Sequence, residues 1–206
     1  MTTHQSDIQL CADRVAPEES DFLTGLPHRL FQDTIAGDSI MKRIILTQGK
    51  FAIVDDIDFR KVSRIKWRAV KGKGNATFYA VHMFYNNGKP YEIRMHRFIL
   101  NVPDNMLTDH RDFNGLNNRR NNLRICNHQQ SQQHRRGQKI KNRTSDFKGV
   151  SYRTKNGKWQ AQIKHNYKSI WIGEYDNEID AAKAYDQKAI ELFGEFAYTN
   201  SEKFQL

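Results

Sequence analysis

Residues 146–176 read DFKGVSYRTKNGKWQAQIKHNYKSIWIGEYD, and their apolar and polar side chains alternate in three short runs separated by turn residues. The alternation predicts three antiparallel strands, at residues 150–153, 159–164 and 169–172. The next segment, 177–193, has the apolar spacing of an amphipathic helix, with Asn177 at its N-cap and Gly194 at its C-terminal cap. The expected apolar face consists of Ile179, Ala182, Tyr185, Ala189 and Leu192 or Phe193. The stretch therefore predicts a three-stranded antiparallel sheet packed on one helix.

The polar positions of the three strands share the face of the sheet that turns away from the helix. They are Ser151, Arg153, Gln160, Gln162, Lys164, Ser169 and Trp171. Cationic and amide side chains on one face suit the phosphates and base edges of DNA. Trp171 could instead pack within the sheet, but Ile170 and Ile172 already fill the core face, so we expect it to contact DNA.

The order of motifs in this region resembles the plant ethylene-response-factor (Apetala-two) domain over about residues 146–204. The stretches that carry the resemblance are FKGVSYR at 147–153, GKWQAQI at 157–163, WIGEYD at 171–176 and AAKAYD at 181–186. That family reads the major groove of DNA with its sheet. The resemblance implies DNA contacts at Lys148, Arg153, Gln162, Lys164 and Trp171. Several of the family's arginines are replaced here by Lys148, Ser151, Lys164 and Ser169. Because lysine lacks the bidentate fork that reads guanine, we expect a different target sequence.

Residues 41–100 predict a small α+β module. The expected strands are 44–46, 51–54, 67–70, 78–85 and 91–95, with a hairpin turn at Asn86-Asn87-Gly88. A short helix is expected over 55–65, with Asp55 or Asp56 as its N-cap. The segment 96–100 is expected to start a second helix.

A dense group of Asp, His, Asn and Arg follows, DHRDFNGLNNRRNNLR at 109–124, with HR upstream at 96–97. Over about residues 41–136 the chain resembles HNH nucleases, in the subgroup found in phage and intron homing enzymes. Phosphodiester hydrolysis needs a base that is neutral near pH 7 and a cation that neutralises charge on the phosphate. The resemblance implies a ββα-metal module, in which His110 is the general base and Asp109 is a ligand of one divalent ion, Mg²⁺ or Mn²⁺.

Other residues of this motif have supporting roles. The resemblance implies that Asn122 fixes the loop that holds His110. His96 either joins the catalytic group or holds the loop around Asp109 through a hydrogen bond, and we favour the second role. We expect Asn117, Asn118 and Asn121 to stabilise turns through hydrogen bonds between their side chains and the backbone. Since adjacent strand residues point to opposite faces, Asp109 and His110 can share a site only at a strand end or an irregularity.

Two positions depart from the family pattern. Ser131 stands where the family has Asn or His as the second metal ligand, and a hydroxyl is a poorer Mg²⁺ ligand than an amide oxygen. His128 and His134, one helical turn to either side, could substitute for it. Phe113 occupies a loop position that is usually Gly, which indicates an altered turn. A non-catalytic DNA-binding protein or transcriptional regulator with a decayed HNH site is therefore the alternative function.

The charge distribution divides the chain further. Lys and Arg number 33 and Asp and Glu number 23, a formal net charge of +10, which indicates a polyanionic partner. Residues 1–40 hold two basic and seven acidic side chains, a net charge of −5, so residues 41–206 carry +15. We expect 1–40 to be a disordered acidic extension, or a segment upstream of a true start at Met41. A basic linker is expected at 137–145, and Arg135 and Arg136 beside it are expected to contact phosphates.

These features together predict a DNA endonuclease of the homing type, from a phage or other mobile element, that nicks or cuts duplex DNA. Its expected domains are the extension at 1–40, the HNH nuclease at 41–136, the linker at 137–145 and the DNA-binding domain at 146–206. The sequence has no long apolar run, and its acidic N-terminus lacks the basic, apolar pattern expected of a signal peptide. The two cysteines, Cys11 and Cys126, cannot form a disulfide framework. We expect a cytoplasmic monomer without a membrane partner or small-molecule cofactor; RNA binding is disfavoured because the stacking motifs of RNA binders are missing.

Overall fold

The computed structural model describes residues 34–36, 39–72, 77–136 and 143–204. The chain divides between Asn127 and His128 into two compact units, each with its own hydrophobic core. The fold is α+β with mostly antiparallel strands, which confirms the predicted class. Within the part of the chain that the structure describes, each helix is too short or too polar to span a lipid bilayer.

The described part of the first unit contains three small sheets and two helices. The first sheet contains β1 (Thr34–Ala36), β2 (Ser39–Ile45) and β3 (Phe51–Asp55), and helix α1 (Asp56–Ser63) follows it directly. The second sheet contains β4 (Arg68–Lys71), β5 (Phe78–Asn86) and β6 (Lys89–Arg94), which leads into helix α2 (Met95–Leu100). A two-stranded ribbon of β7 (Leu107–His110) and β8 (Leu123–Cys126) ends the unit.

The start of the first sheet lies inside the segment expected to be a disordered extension. Residues 34–36 and 39–40 form strands there, because β1 and β2 pair as an antiparallel hairpin in which Thr34 lies opposite Met41. These residues are strands, and the disorder of the extension stays a prediction. The rest of the extension, 1–33 and 37–38, lies outside the described residues.

The core of the first unit positions the elements around the later site. Val54 on β3, Ile93 on β6 and Phe98 on α2 are at most 1% exposed. Trp67 packs edge-on against Phe98 and donates its indole N–H to the carbonyl oxygen of Val62 at 2.8 Å. Burial of each such side chain contributes about 1.5–3 kcal/mol, so the ends of β3 and β6 are firmly placed.

The second unit is a three-stranded sheet packed on one long helix, as predicted from the alternation of residues 146–176. Its elements are α3 (His128–Gln133), β9 (Val150–Arg153), β10 (Lys158–His165), β11 (Lys168–Tyr175) and α4 (Glu178–Phe193). The strand order is β11-β10-β9, all antiparallel. Asn177 caps α4, since its side-chain oxygen accepts the N–H of Asp180 at 2.8 Å.

The apolar face of α4 differs in one position from the expected one. Ile179 is 48% exposed, whereas Ala181 is fully buried, so the expectation for Ile179 is wrong. The rest of the face is Ala182, Tyr185, Ala189 and Phe193, which pack on Val150, Ala161 and Ile163 of the sheet. Alanine has little bulk, and α4 therefore lies close to the strands.

The division between the units falls earlier in the chain than the linker expected at 137–145. Residues 128–136, expected to close the nuclease module, belong to the second unit. In the second unit, Gln129 is hydrogen-bonded to Asn166, and the carbonyl oxygens of Gln133 and Arg135 accept from Lys148. Residues 137–142 of the expected linker lie outside the described part of the chain.

Candidate nuclease site and DNA-binding face

Asp109 and His110 close the strand β7 at the centre of the candidate nuclease site. In the ribbon, Asp109 lies opposite Arg124 and His110 lies opposite Leu123. His110 is the last residue of its strand, which is the kind of position that lets adjacent side chains serve one region. His110 is 6% exposed.

The hydrogen bonds around His110 define which of its nitrogens is basic. Its Nε2 lies 3.3 Å from the side-chain oxygen of Asn118, whose amide nitrogen donates to the carbonyl of Leu116. Nε2 therefore carries the proton and donates it, which leaves the lone pair on Nδ1. Burial lowers the pKa of His110 below that of an ordinary histidine, against opposing effects of Asn118 and the nearby carboxylates of Asp112 and Asp109. The imidazole is thus neutral at pH 7.

Two aromatic rings pack against this imidazole. His96, on α2, is buried and meets His110 edge-on with 5.0 Å between ring centroids. Tyr79, on β5, lies 5.7 Å from His96 and 6.0 Å from His110. The guanidinium of Arg94 sits over the Tyr79 ring, 5.5 Å from its centroid. The structure therefore brings His96 and His110 together.

A side-chain network fixes the loop between β7 and β8. Asn122 donates its amide N–H to Asp112 Oδ1 at 2.9 Å and to the carbonyl of Asn117 at 2.8 Å, and its oxygen accepts the Asp112 N–H at 3.1 Å. The second carboxylate oxygen of Asp112 accepts from the Asn117 side chain at 2.7 Å. Since the loop begins directly after His110, this network restrains the backbone next to the imidazole.

The same loop is tied to β3 and α1. Asp55 accepts the Arg119 Nε–H at 2.9 Å and the backbone N–H of Arg120 at 2.7 Å, while Asp58 binds the Arg120 guanidinium through two contacts of 2.7 Å. Asp55 occupies the N-cap position of α1 but makes no capping hydrogen bond with its side chain. Asp55, which the sequence suggests as a helix cap, therefore holds the loop between β7 and β8 instead.

Phe113 has a backbone conformation that favours glycine. Its φ is +61°, in the left-handed region that side chains rarely occupy. Its N–H donates to the carbonyl of His110 at 3.0 Å, which closes the turn. The difference of this turn from the family's turn stays a prediction.

Asp109, the expected metal ligand, is engaged by a cation of the protein. The buried guanidinium of Arg124 binds one carboxylate oxygen of Asp109 through Nη2 and through Nε, the latter at 3.1 Å. Cys126, two residues further along β8, is fully buried, and burial raises the pKa of its thiol to about 11, with a further contribution from Asp109. Among the described residues, no group of three or more His, Cys, Asp and Glu side chains is placed to hold a metal ion.

The three other residues considered for the metal lie on or beside α3, in the second unit. They are Ser131, His128 and His134. Their metal-binding roles stay predictions.

Most of the expected DNA contacts lie on one face of the second sheet. Opposite residues in neighbouring strands share a face, and the register pairs Ser151 with Gln160, Gln162 with Trp171 and Lys164 with Ser169. The Arg153 guanidinium stands over the Trp171 ring at 5.6 Å, and Trp171 is 51% exposed.

Two details of this face could not be anticipated from the alternation. An irregularity in the register opposite Ala161 brings Glu174 opposite Gln160, and its carboxylate lies 4.0 Å from Arg153. Gln160 donates to Ser151 at 2.8 Å, while its buried amide oxygen has no hydrogen-bond partner among the residues that the structure describes.

The remaining expected contacts lie elsewhere in the second unit. Lys148 points its ammonium to the carbonyl oxygens of Gln133 and Arg135, at 2.9 and 2.7 Å. Arg135 and Arg136 follow α3 and are exposed. Whether any of these side chains contacts DNA stays a prediction.

Sequence reasoning missed three residues of the nuclease site. Asp112 carried a usable signal, since Asp112-Phe113-Asn114 is a turn-forming pattern in which the carboxylate accepts the Asn114 N–H at 2.8 Å. Arg124 could be found only once the register that sets it opposite Asp109 was known. Tyr79 looked like any aromatic strand residue.

Comparisons with known proteins agree with the division of the chain into two units. Residues 145–195 match the AP2 domain. An uncharacterized HNH endonuclease of Acanthamoeba polyphaga mimivirus is 34% identical over 175 residues, which cover 81% of this chain and 84% of that protein. The ethylene-responsive transcription factor ERN3 of Medicago truncatula is 43% identical over 76 residues, 35% of this chain and 31% of its own length. APETALA2-like protein 2 of Oryza sativa subsp. indica is 41% identical over 61 residues, 29% of this chain and 14% of its own.

The fold, the site and these similarities define a DNA-binding, nuclease-like protein. The chain belongs to the HNH endonuclease family and carries a C-terminal AP2 domain, which confirms both resemblances seen in the sequence.

Proposed function

We propose that this protein is a DNA endonuclease of the homing type, which its AP2 domain positions on duplex DNA so that the HNH motif nicks or cuts nearby. The observation that carries the proposal is the His110 imidazole, which is neutral, restrained on three sides and basic at Nδ1. A role in a phage or other mobile element belongs to the same proposal.

The proposed reaction is hydrolysis of a phosphodiester bond with His110 as general base. A water oxygen bonds to phosphorus while one of its protons moves to Nδ1 of His110. The bond between phosphorus and the bridging ester oxygen breaks, and that oxygen takes a proton from solvent. Asn118 and the rings of His96 and Tyr79 hold the imidazole in the orientation that this transfer needs.

A single divalent ion, Mg²⁺ or Mn²⁺, is part of the proposal, but the residues as placed do not fit it. The Asp109 carboxylate is bound to Arg124, and the described residues offer no further cluster of metal-binding side chains. An ion at Asp109 would compete with the guanidinium of Arg124, because both are cations drawn to the same carboxylate.

The same observation favours a second candidate, a non-catalytic DNA-binding regulator. The Arg124 guanidinium already neutralises the Asp109 carboxylate, as expected of a site that no longer binds metal. Ser131 is also a weak ligand at a position where the family has Asn or His.

Plasmid nicking tests the nuclease proposal. We expect the protein to convert supercoiled plasmid to the open-circular or linear form with Mg²⁺ or Mn²⁺, and His110→Gln to abolish this while DNA binding is retained. Glutamine keeps a donor for Asn118 but lacks a basic nitrogen. His82→Ala, which changes a histidine hydrogen-bonded to Lys66 at 2.9 Å, is the matched control and should retain activity. Absence of nicking by the unaltered protein with either ion, while it still binds DNA, would favour the regulator.

A further inference from the structure

We propose that Lys148 is a positioning residue that anchors helix α3 to the AP2 domain and does not contact DNA. The side chain occupies a DNA-contact position by resemblance to the plant domain. In this structure its ammonium instead donates to the carbonyl oxygens of Gln133 at 2.9 Å and Arg135 at 2.7 Å, at the C-terminal end of α3. The Tyr198 ring lies 5.0 Å from the same nitrogen.

The end of a helix is a favourable place for a cation. The last carbonyl groups of a helix have no partner within the helix and carry partial negative charge. A lysine that donates to them supplies the missing hydrogen bonds and places a positive charge next to the negative one. The face of an aromatic ring adds attraction for the same ammonium. Burial lowers the pKa of Lys148 to about 8, consistent with an ammonium enclosed by protein and withdrawn from solvent.

The backbone of Lys148 is fixed to the domain core. Its N–H donates to the side-chain oxygen of Asn200 at 2.7 Å, and its carbonyl accepts the Asn200 amide at 3.1 Å. Asn200 is fully buried and is itself held by the Asp186 carboxylate on α4. The ammonium therefore extends from a rigid base.

Apolar packing does not hold α3 in place, because none of its six residues is buried. A cavity of about 660 Å³ is lined by α3 residues, the turn of the β10–β11 hairpin and Phe193. At the other end of α3, Gln129 donates to the side chain of Asn166 at 2.7 Å. Lys148 and Gln129 thus attach the helix at its two ends.

The anchor has a consequence for the nuclease motif. Ser131, the last position of that motif, lies on α3 between these two attachments. Lys148 therefore fixes position 131 to the DNA-binding unit, a statement that holds whether or not the protein cuts DNA.

Hydrogen exchange and DNA binding of the full chain test the inference together. We expect Lys148→Met to speed amide exchange at residues 130–135 by at least about tenfold, because two hydrogen bonds to a charged group are lost. Its affinity for a 30-base-pair duplex and the slope of log affinity against log salt should stay unchanged. Lys164→Met is the matched control: an exposed cation of the expected DNA face, whose loss should weaken binding, lower the slope by about 0.9 and leave exchange unaltered.

Lys148→Arg keeps the charge and the donors and distinguishes a specific anchor from a general loss of stability. It should restore slow exchange without a change in the salt slope. The inference is overturned if Lys148→Met lowers the slope as Lys164→Met does with exchange unchanged, or if Lys148→Arg steepens the slope.

Discussion

At the scale of single residues, His110, the proposed general base, is oriented by its neighbours. Asn118 selects the tautomer, and the edge-on contact with His96 together with Tyr79 limits ring rotation. Asn122 acts indirectly, because it restrains the loop that follows His110 and not the imidazole ring itself. Each of these effects lowers the reorganisation that proton transfer would otherwise require.

Burial of His110 predicts a pH dependence of stability. Because its pKa is lowered in the folded protein, the unfolded chain binds the proton more readily once the pH falls below the ordinary histidine pKa of about 6.5. The free energy of unfolding should therefore decrease as the pH drops from 6.5 toward the folded pKa. Urea unfolding between pH 7 and pH 5 should show a larger loss for the unaltered protein than for His110→Gln. Equal losses would contradict the assignment of a depressed pKa.

The Arg124–Asp109 pair predicts a competition with metal. Arg124→Gln removes the guanidinium, so Mn²⁺ should raise the melting temperature of this variant more than that of the unaltered protein, since a ligand of the folded state stabilises it. The variant itself should be less stable by about 3–5 kcal/mol, because a buried charge loses its partner. Arg119→Gln, which breaks the ion pair with Asp55, is the control. A Mn²⁺ effect of equal size in both variants would argue against metal binding at Asp109.

At the scale of elements, the sheet of the second unit depends on one glycine. Gly149 has a φ of +78°, and a Cβ there would lie 2.0 Å from the Tyr185 ring. Gly149→Ala should therefore destabilise the second unit by more than about 3 kcal/mol, combining backbone strain with overpacking.

Gly157 provides the matched comparison in the same sheet. Its φ is +66°, but a Cβ would meet only the Tyr152 hydroxyl at 3.7 Å. Gly157→Ala should cost about 1 kcal/mol, the backbone part alone. Denaturation midpoints of the two variants measure the difference, and equal midpoints would show that the contact with Tyr185 is unimportant.

Local patterns predicted many elements of both units, because periodicity and turn residues act over a few positions. They predicted the strands around Trp159 and the helix capped by Asn177, whereas the family resemblance pointed to Asp109-His110 as a site. They did not reveal that Asp55 binds the Arg119-Arg120 segment, some 64 residues later. Contacts of that kind depend on tertiary packing, and so does the turn of Lys148 toward α3.

At the scale of the whole molecule, two separate cores predict two unfolding transitions. Ile93 is fully buried in the first core and Ala161 in the second. Ile93→Ala should lower the temperature of one calorimetric transition, at a cost of about 2–5 kcal/mol, while Gly149→Ala lowers the other. A single transition that both variants shift would show instead that the units unfold together.

The three tryptophans of the chain differ in their exposure to solvent. Trp67 is 4% exposed in the first core, whereas Trp171 is 51% exposed beneath the Arg153 guanidinium. Iodide in solution can reach the indole of Trp171 but not that of Trp67, so the quenchable part of the intrinsic fluorescence comes mainly from the sheet face expected to meet DNA. Iodide quenching of the tryptophan fluorescence therefore reports whether a bound molecule covers that face.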